Sequence, residues 1–341
     1  MQKRRLKRGA IALIVIAAVI FLIGCVILGT SLYAIRYDDD SMPEAALSEW
    51  MGYIEDGTLL RKVALPGSHD SGTAGAFYMA KTQDRTISQQ LACGTRYFDI
   101  RVGKKSGEYR LFHGPIFGEN YETVLKNLVA FLTAHPTEVV VWDMQHFGDG
   151  VQAEAMALTD RYLMPFYIKN ESNTADIAII DALTVGKARG KVVVFVGEDD
   201  GTYAAEDRFF LRNNDAGTTP DSCLHSYYDG AKNKSSAKKY VQEYVGSYLE
   251  RYKAVDSGLF VLQGQLTDGL LVFGPKFRES QNKEGMDAYV KSLADSPDLS
   301  YVNIVMRDFV TPNKNKLTLT LNLKKGVVRA DSLAAFTELI G

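Results

Sequence analysis

Short, β-rich apolar runs alternate with longer helical stretches along most of this 341-residue chain, and this alternation restricts the folds that it can adopt. The run Glu138–Asp143 (EVVVWD) is apolar at most positions, which is typical of a strand buried on both faces. Strands that alternate with helices predict a parallel sheet. The pattern covers about 290 residues without an internal repeat, so it predicts one α/β domain, an irregular (β/α) barrel of the TIM type.

The predicted elements follow from the periodicity of apolar residues. The predicted strands are Arg61–Leu65, Tyr97–Val102, Glu138–Asp143, Lys191–Val196, Leu259–Gln263 and Tyr301–Met306. The predicted helices are Glu122–Ala134, Lys232–Lys253 and Glu279–Ala294. Residues 200–230 are irregular and carry no clear strand pattern. A doubly wound open sheet is the alternative architecture, but no glycine-rich dinucleotide turn favours it.

The first 37 residues differ from the rest, because five basic residues within positions 3–8 precede an uncharged run from Ala10 to Gly29. About 20 apolar residues are enough to span a bilayer as one helix. The basic residues precede the span and three aspartates follow it, so the N-terminus is expected in the cytoplasm. The prediction is therefore a cytoplasmic basic segment (1–9), a single transmembrane anchor (10–32), a linker (33–47) and an extracellular barrel domain (48–341).

Two other interpretations of the apolar run remain open. A cleaved signal peptide would have a shorter apolar core and a small-residue cleavage site. A bacterial lipoprotein signal is suggested by Leu22-Ile23-Gly24-Cys25, although the run stays apolar through Val26, Ile27 and Leu28. Both a membrane span and a lipid on Cys25 would tether the domain to the cell membrane.

Charge and cysteine content exclude some classes of protein. Removing the six basic residues of the first 37 from the 39 in the chain leaves 33 against 41 acidic residues, a formal charge of −8. Such a domain has no basic footprint for nucleic acid and no polybasic surface for anionic lipid. Cys93 and Cys223 could pair outside the cell, but two cysteines make no disulfide framework.

Polar residues recur at the ends of the predicted strands. The loop PGSHDSGT (66–73) follows the first strand, and Asp99 and Arg101 lie on one face of the second. The segments FHGP (112–115), DMQH (143–146) and NIVMRD (303–308) follow or end later strands. Because the carboxyl ends of barrel strands form the rim where active sites lie, these residues are expected to meet there.

The motifs PGSHDSGT, RYFDIR, FHGP, HPTEVVVWDMQHF and VNIVMRDFV occur in this order and resemble the X domain of phosphatidylinositol-specific phospholipase C. The resemblance is greatest to the proteins that consist of an X domain alone, whose third strand ends in a similar Asp-x-x-His-Phe. It runs from Leu60 to Thr311, about three quarters of the chain. It implies a barrel phosphodiesterase that acts on phospholipid at a membrane surface without a cofactor.

The chemistry of phosphodiester cleavage agrees with this resemblance. A base must take the proton of the attacking hydroxyl and an acid must protonate the leaving oxygen, and imidazole does both near neutral pH. Charge on the phosphate requires a fixed cation, for which the fork of an arginine is suited. The family pattern implies His69 as the base, His113 as the acid and Arg101 as the cation.

The same pattern gives roles to three carboxylates. Asp70 would hold and tune His113, Asp308 would orient His69, and Asp99 would support Arg101. Purely structural roles are the alternatives, because an aspartate in such a loop can cap the helix that follows. His146 is either a substrate contact or a second residue behind the site.

The sequence departs from the calcium-dependent members of the family. Those members place Asn after the first histidine and surround the phosphate with carboxylates, whereas this chain has Asp70 and Arg101 at the matching positions. A guanidinium cannot ligate calcium and would replace its charge, so no metal site is predicted.

The headgroup pocket departs from that of the secreted bacterial enzymes of this type. Secreted bacterial enzymes bind inositol with a Lys after the third strand and an Arg after the fourth, where this chain has Met144-Gln145-His146 and Gly197-Glu198. The candidate substrate-binding residues are His146, Glu198, His225, Tyr227 and Gln263.

Three functions are consistent with these residues. The first is a metal-independent lyase that releases diacylglycerol and a cyclic inositol phosphate. The second is a phosphodiesterase of the same fold that acts on another phospholipid, a glycolipid or a polymer linkage. The third is a catalytically silent lipid-binding or surface-interaction domain, which the presence of both histidines and Arg101 disfavours. No nucleic-acid or protein partner is predicted.

Overall fold

A computed structural model of the chain describes residues 8–35, 47–169, 176–197, 210–212, 222–228, 237–266 and 274–341. Helix α1 covers Arg8–Ile35. Its segment Gly9–Gly29 has a mean hydropathy of 3.4 and is not buried by the rest of the protein. By length and composition α1 can cross a membrane, and a signal sequence near an N-terminus would pass the same test.

The described strands of the remaining chain belong to one sheet. They are β1 (Leu65–Ser68), β2 (Tyr97–Lys105), β3 (Glu108–His113), β4 (Ile116–Asn120), β5 (Val139–Phe147), β6 (Lys191–Val196), β7 (Phe210–Leu211), β8 (Leu224–Ser226), β9 (Leu259–Gln263) and β10 (Ile304–Arg307). Eight of them lie in the order β7-β6-β5-β2-β1-β10-β9-β8, and all neighbours in this order are parallel.

The two ends of this order meet, because Arg212 and Leu224 form an isolated parallel bridge between the β7 and β8 ends. The sheet therefore closes into a parallel barrel, which confirms the predicted fold class. Strands β3 and β4 lie outside the ring as an antiparallel hairpin on β2. The pattern of the sequence did not predict this hairpin, nor the short strands β7 and β8.

Helices cover the outside of the barrel. After α1 they are α2 (Ile87–Ala92), α3 (Tyr121–Ala134), α4 (Gln152–Leu163), α5 (Asp176–Asp181), α6 (Val185–Ala188), α7 (Ala237–Tyr240), α8 (Gly246–Lys253), α9 (Gly274–Leu293), α10 (Pro312–Lys324) and α11 (Leu333–Ile340). A π-helical turn, Val241–Val245, joins α7 to α8. The helix predicted over Lys232–Lys253 thus changes from α to π and back to α within its described part. Residues 232–236 lie outside the described residues.

Two strand predictions are wrong at their starts. Residues Leu60–Lys62 form a 3-10 turn, and β1 begins only at Leu65. The carbonyls of Leu60 and Val63 accept hydrogen bonds from the side chain of Asn303, at 3.1 and 2.7 Å, so a side chain takes the place of a neighbouring strand. The late strand predicted from Tyr301 begins at Ile304, because Pro297–Tyr301 is also a 3-10 turn.

Apolar side chains of the parallel strands alternate between the barrel interior and the helix-covered outside. Leu65, Val141 and Ile304 belong to the interior cluster, whereas Val140 and Phe260 belong to clusters packed under the helices. Residues 47–54, which we call the plug, close the amino ends of the strands, where Leu47, Trp50, Met51 and Ile54 are fully buried. Cys93 and Cys223 are buried and do not form a disulfide with each other.

Candidate active site

The carboxyl ends of four strands bring the predicted catalytic side chains together. His69 and Asp70 follow β1, Arg101 lies in β2, His113 ends β3 and Asp308 follows β10. All of these residues except Asp308 line a cavity of about 140 Å³. The cavity is lined by His69, Asp70, Arg101, His113, Gln145, His146, Tyr228, Gln263, Gln265 and Met306.

His69 lies between two carboxylates. Its Nδ1 is 2.7 Å from Asp308 Oδ1, and its Nε2 is 3.3 Å from Asp70 Oδ2 and faces the cavity. Burial lowers the pKa of His69, but Asp70 and Asp308 outweigh burial and raise it to about 9. Asp308 thus holds the ring through Nδ1, which leaves Nε2 to exchange a proton with a substrate.

The backbone at Asp70 is left-handed, with φ of +41°. An aspartate tolerates this region better than most residues, because its short polar side chain can bond locally. The Asp70 N–H donates to Asp99 Oδ2 at 3.1 Å, and the hydroxyls of Thr73 and Thr82 donate to the Asp70 carbonyl at 3.1 and 3.0 Å. These bonds hold the loop that follows β1 in a conformation in which Asp70 lines the cavity.

Asp70 contacts Arg101 more closely than it contacts His113. Its Oδ1 is 2.5 Å from Arg101 Nε, whereas its Oδ2 is 3.5 Å from His113 Nδ1. Arg101 also pairs with Asp99, with Nη2 donating to Oδ2 at 3.0 Å, and donates to Gln145 Oε1 at 2.8 Å. Burial raises the pKa of Asp99, but Arg101 and His69 outweigh burial and hold it at about 2. Asp99 thus contacts Arg101, the residue that it was predicted to support.

His113 reaches the site because the β3–β4 hairpin packs on the loop after β1. The Glu119 N–H donates to the Gly72 carbonyl at 2.9 Å, and a Cβ added at Gly118 would lie 2.0 Å from that same oxygen. His113 Nδ1 is 2.9 Å from the Ala80 carbonyl, which can only accept, so Nδ1 carries a proton. Nε2 of His113 is left for the substrate.

The two imidazoles face each other across the cavity, with ring centroids 6.4 Å apart. Asp70 contacts both imidazoles and also the guanidinium of Arg101, so Arg101 lies near both histidines. One group that can accept a proton, one that can donate it and one fixed cation therefore border the same space. Acid–base attack on a phosphodiester requires this combination.

His69, Asp70 and Asp99 together also offer three donor atoms within 4.8 Å of one another, a spacing that a metal ion could use. The guanidinium of Arg101 already bonds to the carboxylates of Asp70 and Asp99. A cation at this set would have to displace another cation from its partners. The donor set therefore fits Arg101 better than it fits a metal.

The predicted substrate-binding residues divide into two groups. Gln263 and His146 line the cavity, and Gln263 Nε2 donates to Ser226 Oγ at 2.7 Å. Glu198 lies outside the described residues.

His225 and Tyr227 are not brought to the cavity. Tyr227 belongs to the apolar cluster under the outer helices, and the His225 ring packs against Tyr227 and Tyr252. Side chains alternate along a strand, so Ser226 and Tyr228 face inward instead. We therefore assign neither His225 nor Tyr227 to the substrate.

Four lining residues were not predicted from the sequence: Gln145, Tyr228, Gln265 and Met306. Gln145 lies within the DMQH segment (143–146), and its position two residues after Asp143, on the same strand face, is a signal that indicates an inward side chain. To predict Tyr228, one would have to know which side chains of β8 point into the barrel.

Comparison with known proteins gives consistent relatives. No protein-family model matches the chain. The 1-phosphatidylinositol phosphodiesterase of Listeria monocytogenes is 25% identical over 273 residues, and the match covers 76% of this chain and 80% of that protein. The PI-PLC X domain-containing protein 2 of Mus musculus is 31% identical over 138 residues, which cover 30% of this chain and 40% of that protein.

A solved structure shares the fold. The phosphatidylinositol-specific phospholipase C of Listeria monocytogenes aligns with a TM-score of 0.65 at 22% identity, covering 81% of this chain and 98% of the other. These relatives confirm the resemblance that was inferred from the five ordered motifs.

Proposed function

We propose that this chain, a homologue of the phosphatidylinositol-specific phospholipase C X-domain proteins, is a phosphodiesterase that cleaves phosphatidylinositol-type lipids. The observation that carries the proposal is the convergence of His69, His113 and Arg101 on one small cavity. Each histidine is held through Nδ1 by an acceptor and turns its Nε2 away from that acceptor. A silent lipid-binding domain would not require two imidazoles held in this way.

The proposed reaction is an internal displacement at phosphorus. His69 Nε2 takes the proton of the inositol hydroxyl next to the phosphate, and that oxygen forms a new bond to phosphorus. The bond from phosphorus to the glycerol oxygen breaks, and His113 Nε2 gives this oxygen a proton. The products are diacylglycerol and a cyclic inositol phosphate, and Arg101 stabilises the charge on the phosphate oxygens.

The carboxylates act on these groups without touching the reacting atoms. Asp308 orients His69 and stabilises the imidazolium that forms when it takes a proton. Asp99 and Asp70 hold the guanidinium of Arg101 in place. Because Arg101 supplies the positive charge, we propose that the reaction needs no metal ion and no cofactor.

The headgroup part of the cavity is lined by amides. Gln145, Gln263 and Gln265 face it together with Tyr228, and no lysine is among its described lining residues. Neutral amides can both donate to and accept from hydroxyls, which suits a polyol headgroup. A related phosphodiesterase activity on another phospholipid or a glycolipid is the second candidate, because these residues differ from those of the secreted bacterial enzymes.

We further propose that α1 anchors the domain in the cell membrane, with residues 1–9 in the cytoplasm, 10–32 in the bilayer, 33–47 as a linker and 48–341 as the catalytic barrel outside. The plug joins the barrel at the amino ends of its strands, where Arg96 Nη2 donates to the Ser48 carbonyl at 2.7 Å. The catalytic residues lie at the opposite ends. An anchored domain thus presents its cavity on the side away from the end at which the linker joins.

The proposal is tested with the purified full-length chain in mixed micelles. Phosphatidylinositol, phosphatidylcholine, phosphatidylethanolamine and a glycosylated phosphatidylinositol are offered separately, each with EDTA and with calcium. We expect diacylglycerol and a cyclic phosphate from an inositol lipid, equally in EDTA. Cleavage of another lipid alone would support the second candidate, calcium dependence would overturn the role of Arg101, and no cleavage of any would favour a silent domain.

A further inference from the structure

The turn that carries Asp308 has an unusual backbone. Phe309, the next residue, has a φ of +46° and is buried. An aromatic residue rarely adopts this left-handed region, because its Cβ crowds the neighbouring carbonyl. The conformation persists only if surrounding groups hold it. The direction of the Asp308 carboxylate depends on this turn, because the strained residue follows it directly.

Three groups hold the turn. The Phe309 N–H donates to the Thr82 carbonyl at 2.7 Å. Nζ of Lys314 donates to the carbonyls of Asp308 and Phe309 at 2.8 and 2.9 Å. The side chain of Gln83 accepts from the Val310 N–H at 3.0 Å. Of these groups, only Lys314 binds both carbonyls that flank the left-handed residue.

Lys314 does not have the surroundings of an ordinary helix lysine. It lies in the first turn of α10, where the helix dipole disfavours a cation, and it is buried. Its Nζ is 2.5 Å from Glu279 Oε1, and Glu279 is also 3.2 Å from Arg307 Nη2. The Glu279 carboxylate therefore balances the positive charge of Lys314, which the N-terminus of the helix does not stabilise. The same amine also donates to the two carbonyls of the turn.

We infer that Lys314 is a positioning residue for the reaction, which acts by holding the Asp308–Phe309 turn so that the Asp308 carboxylate orients the His69 ring. The inference rests on the proposed function of that site. Lys314 is not among the lining residues of the cavity, so we expect it to act without touching the substrate. Removal of its amine leaves two buried carbonyls without this donor, and the turn relaxes toward a common backbone conformation.

The test is a double-mutant cycle between Lys314→Met and Asp308→Asn in the full-length chain. Lys316→Met is the matched control, because it removes a lysine from the same helix two residues away. We expect Lys314→Met to lower kcat on phosphatidylinositol by about 10²-fold with little change in KM, since a displacement of about 1 Å can cost that much. In the Asp308→Asn background, Lys314→Met should lower kcat by less than about threefold, because the carboxylate it positions is already gone.

A second readout does not depend on turnover. The proton between His69 Nδ1 and Asp308 should give a low-field resonance in the unsubstituted chain and in Lys316→Met, and that resonance should shift or broaden in Lys314→Met. If Lys314→Met fails to fold, Lys314→Gln, which keeps an uncharged amide NH₂ as donor, replaces it throughout the same cycle.

Equal losses from Lys314→Met in the two backgrounds, or an unchanged resonance, would overturn the inference. An unsubstituted chain without activity would instead refute the proposed function. The resonance would in that case still decide whether Lys314 holds the turn.

Discussion

The two ends of the barrel use the same kind of ion pair for different purposes. At the amino end, Arg96 pairs with Glu138 at 2.6 Å, and both side chains are fully buried. At the carboxyl end, Arg101 pairs with Asp99 and Asp70, but its side chain is 18% exposed and borders the cavity. The Arg96–Glu138 pair is inaccessible to solvent, whereas the arginine of the second pair is accessible from the cavity.

The surroundings of the two arginines explain this difference. The Arg96 guanidinium donates to Glu138 and also to the backbone carbonyls of Leu47, Ser48, Leu91 and Thr95, so its donors are used within the protein. Arg101 instead pairs with Asp70, whose backbone is left-handed, and borders the cavity. The amino end thus serves stability, while the carboxyl end keeps a left-handed turn and an arginine at the wall of the cavity.

The sharpest test of the carboxyl end is removal of each imidazole. His69→Ala and His113→Ala should each leave a folded domain and lower the rate on phosphatidylinositol by about 10⁴-fold. A nitrophenyl phosphodiester of inositol separates their roles, because its leaving group needs little protonation. On that substrate His113→Ala should lose much less, whereas His69→Ala should lose about as much as on lipid. Steady-state kinetics on both substrates measures this, and equal losses for both variants on both substrates would refute the assignment.

Substitution of each arginine tests whether the two ends of the barrel serve different purposes. Arg96→Met leaves the Glu138 carboxylate buried without its partner, so the free energy of unfolding should fall by about 3–5 kcal/mol. The rate per folded molecule should not change. Arg101→Lys keeps a charge beside Asp99 and Asp70 but loses the fork, so it should alter stability little and lower kcat by about 10²-fold or more.

Urea unfolding followed by tryptophan fluorescence measures the stability of both variants, since Trp50 lies in the plug beside Arg96. Activity is assayed at a urea concentration where each variant is folded. A loss of kcat in Arg96→Met that equals the loss in Arg101→Lys would contradict the division of purpose between the two ends.

A smaller effect is expected in the pH dependence. His69 works as a base only when neutral, and two carboxylates raise its pKa to about 9. The acid limb of kcat/KM should therefore lie near pH 9, with about a tenfold fall for each pH unit below it. Asp308→Asn removes one of the two carboxylates, so the limb should move by about one unit or more toward the ordinary value for histidine.

Stability should follow the same group. Because the pKa of His69 is raised on folding, the stability it contributes is fully present below pH 6.5 and is lost as the pH rises through about 9. Urea unfolding across this range should show the loss, and Asp308→Asn should reduce it. If Asp308→Asn changed neither the acid limb of kcat/KM nor the pH dependence of stability, Asp308 would not act through His69.

Much of the site was predictable because its residues lie in short motifs at strand ends. His69 and Asp308 are 239 positions apart, yet both follow strands that neighbour each other in the ring. The resemblance assigned both residues, and the rule that barrel sites lie at carboxyl ends gave an independent reason for their meeting.

Predictions failed where local pattern is weak. The β3–β4 hairpin was missed, although it carries His113, because its register is set by packing on Gly72 and not by a strong alternation of apolar residues. His225 and Tyr227 were assigned to the pocket because no strand was placed in their region. A shift of one residue moves a strand's side chains to the other face, and a strand of three residues carries too little pattern to set that phase.

The sequence by itself determined the barrel class and an N-terminal helix apolar enough to span a membrane, and its motifs, through the family resemblance, predicted which residues would act as base, acid and cation. These follow from local periodicity, composition and motifs, which need no knowledge of distant contacts. Only the tertiary structure decided which amides face the cavity, that Asp70 bonds to Arg101 more closely than to His113, and that Lys314 supports the turn of Asp308. Each of these depends on contacts between segments far apart in the chain, and such contacts form only when the sheet closes.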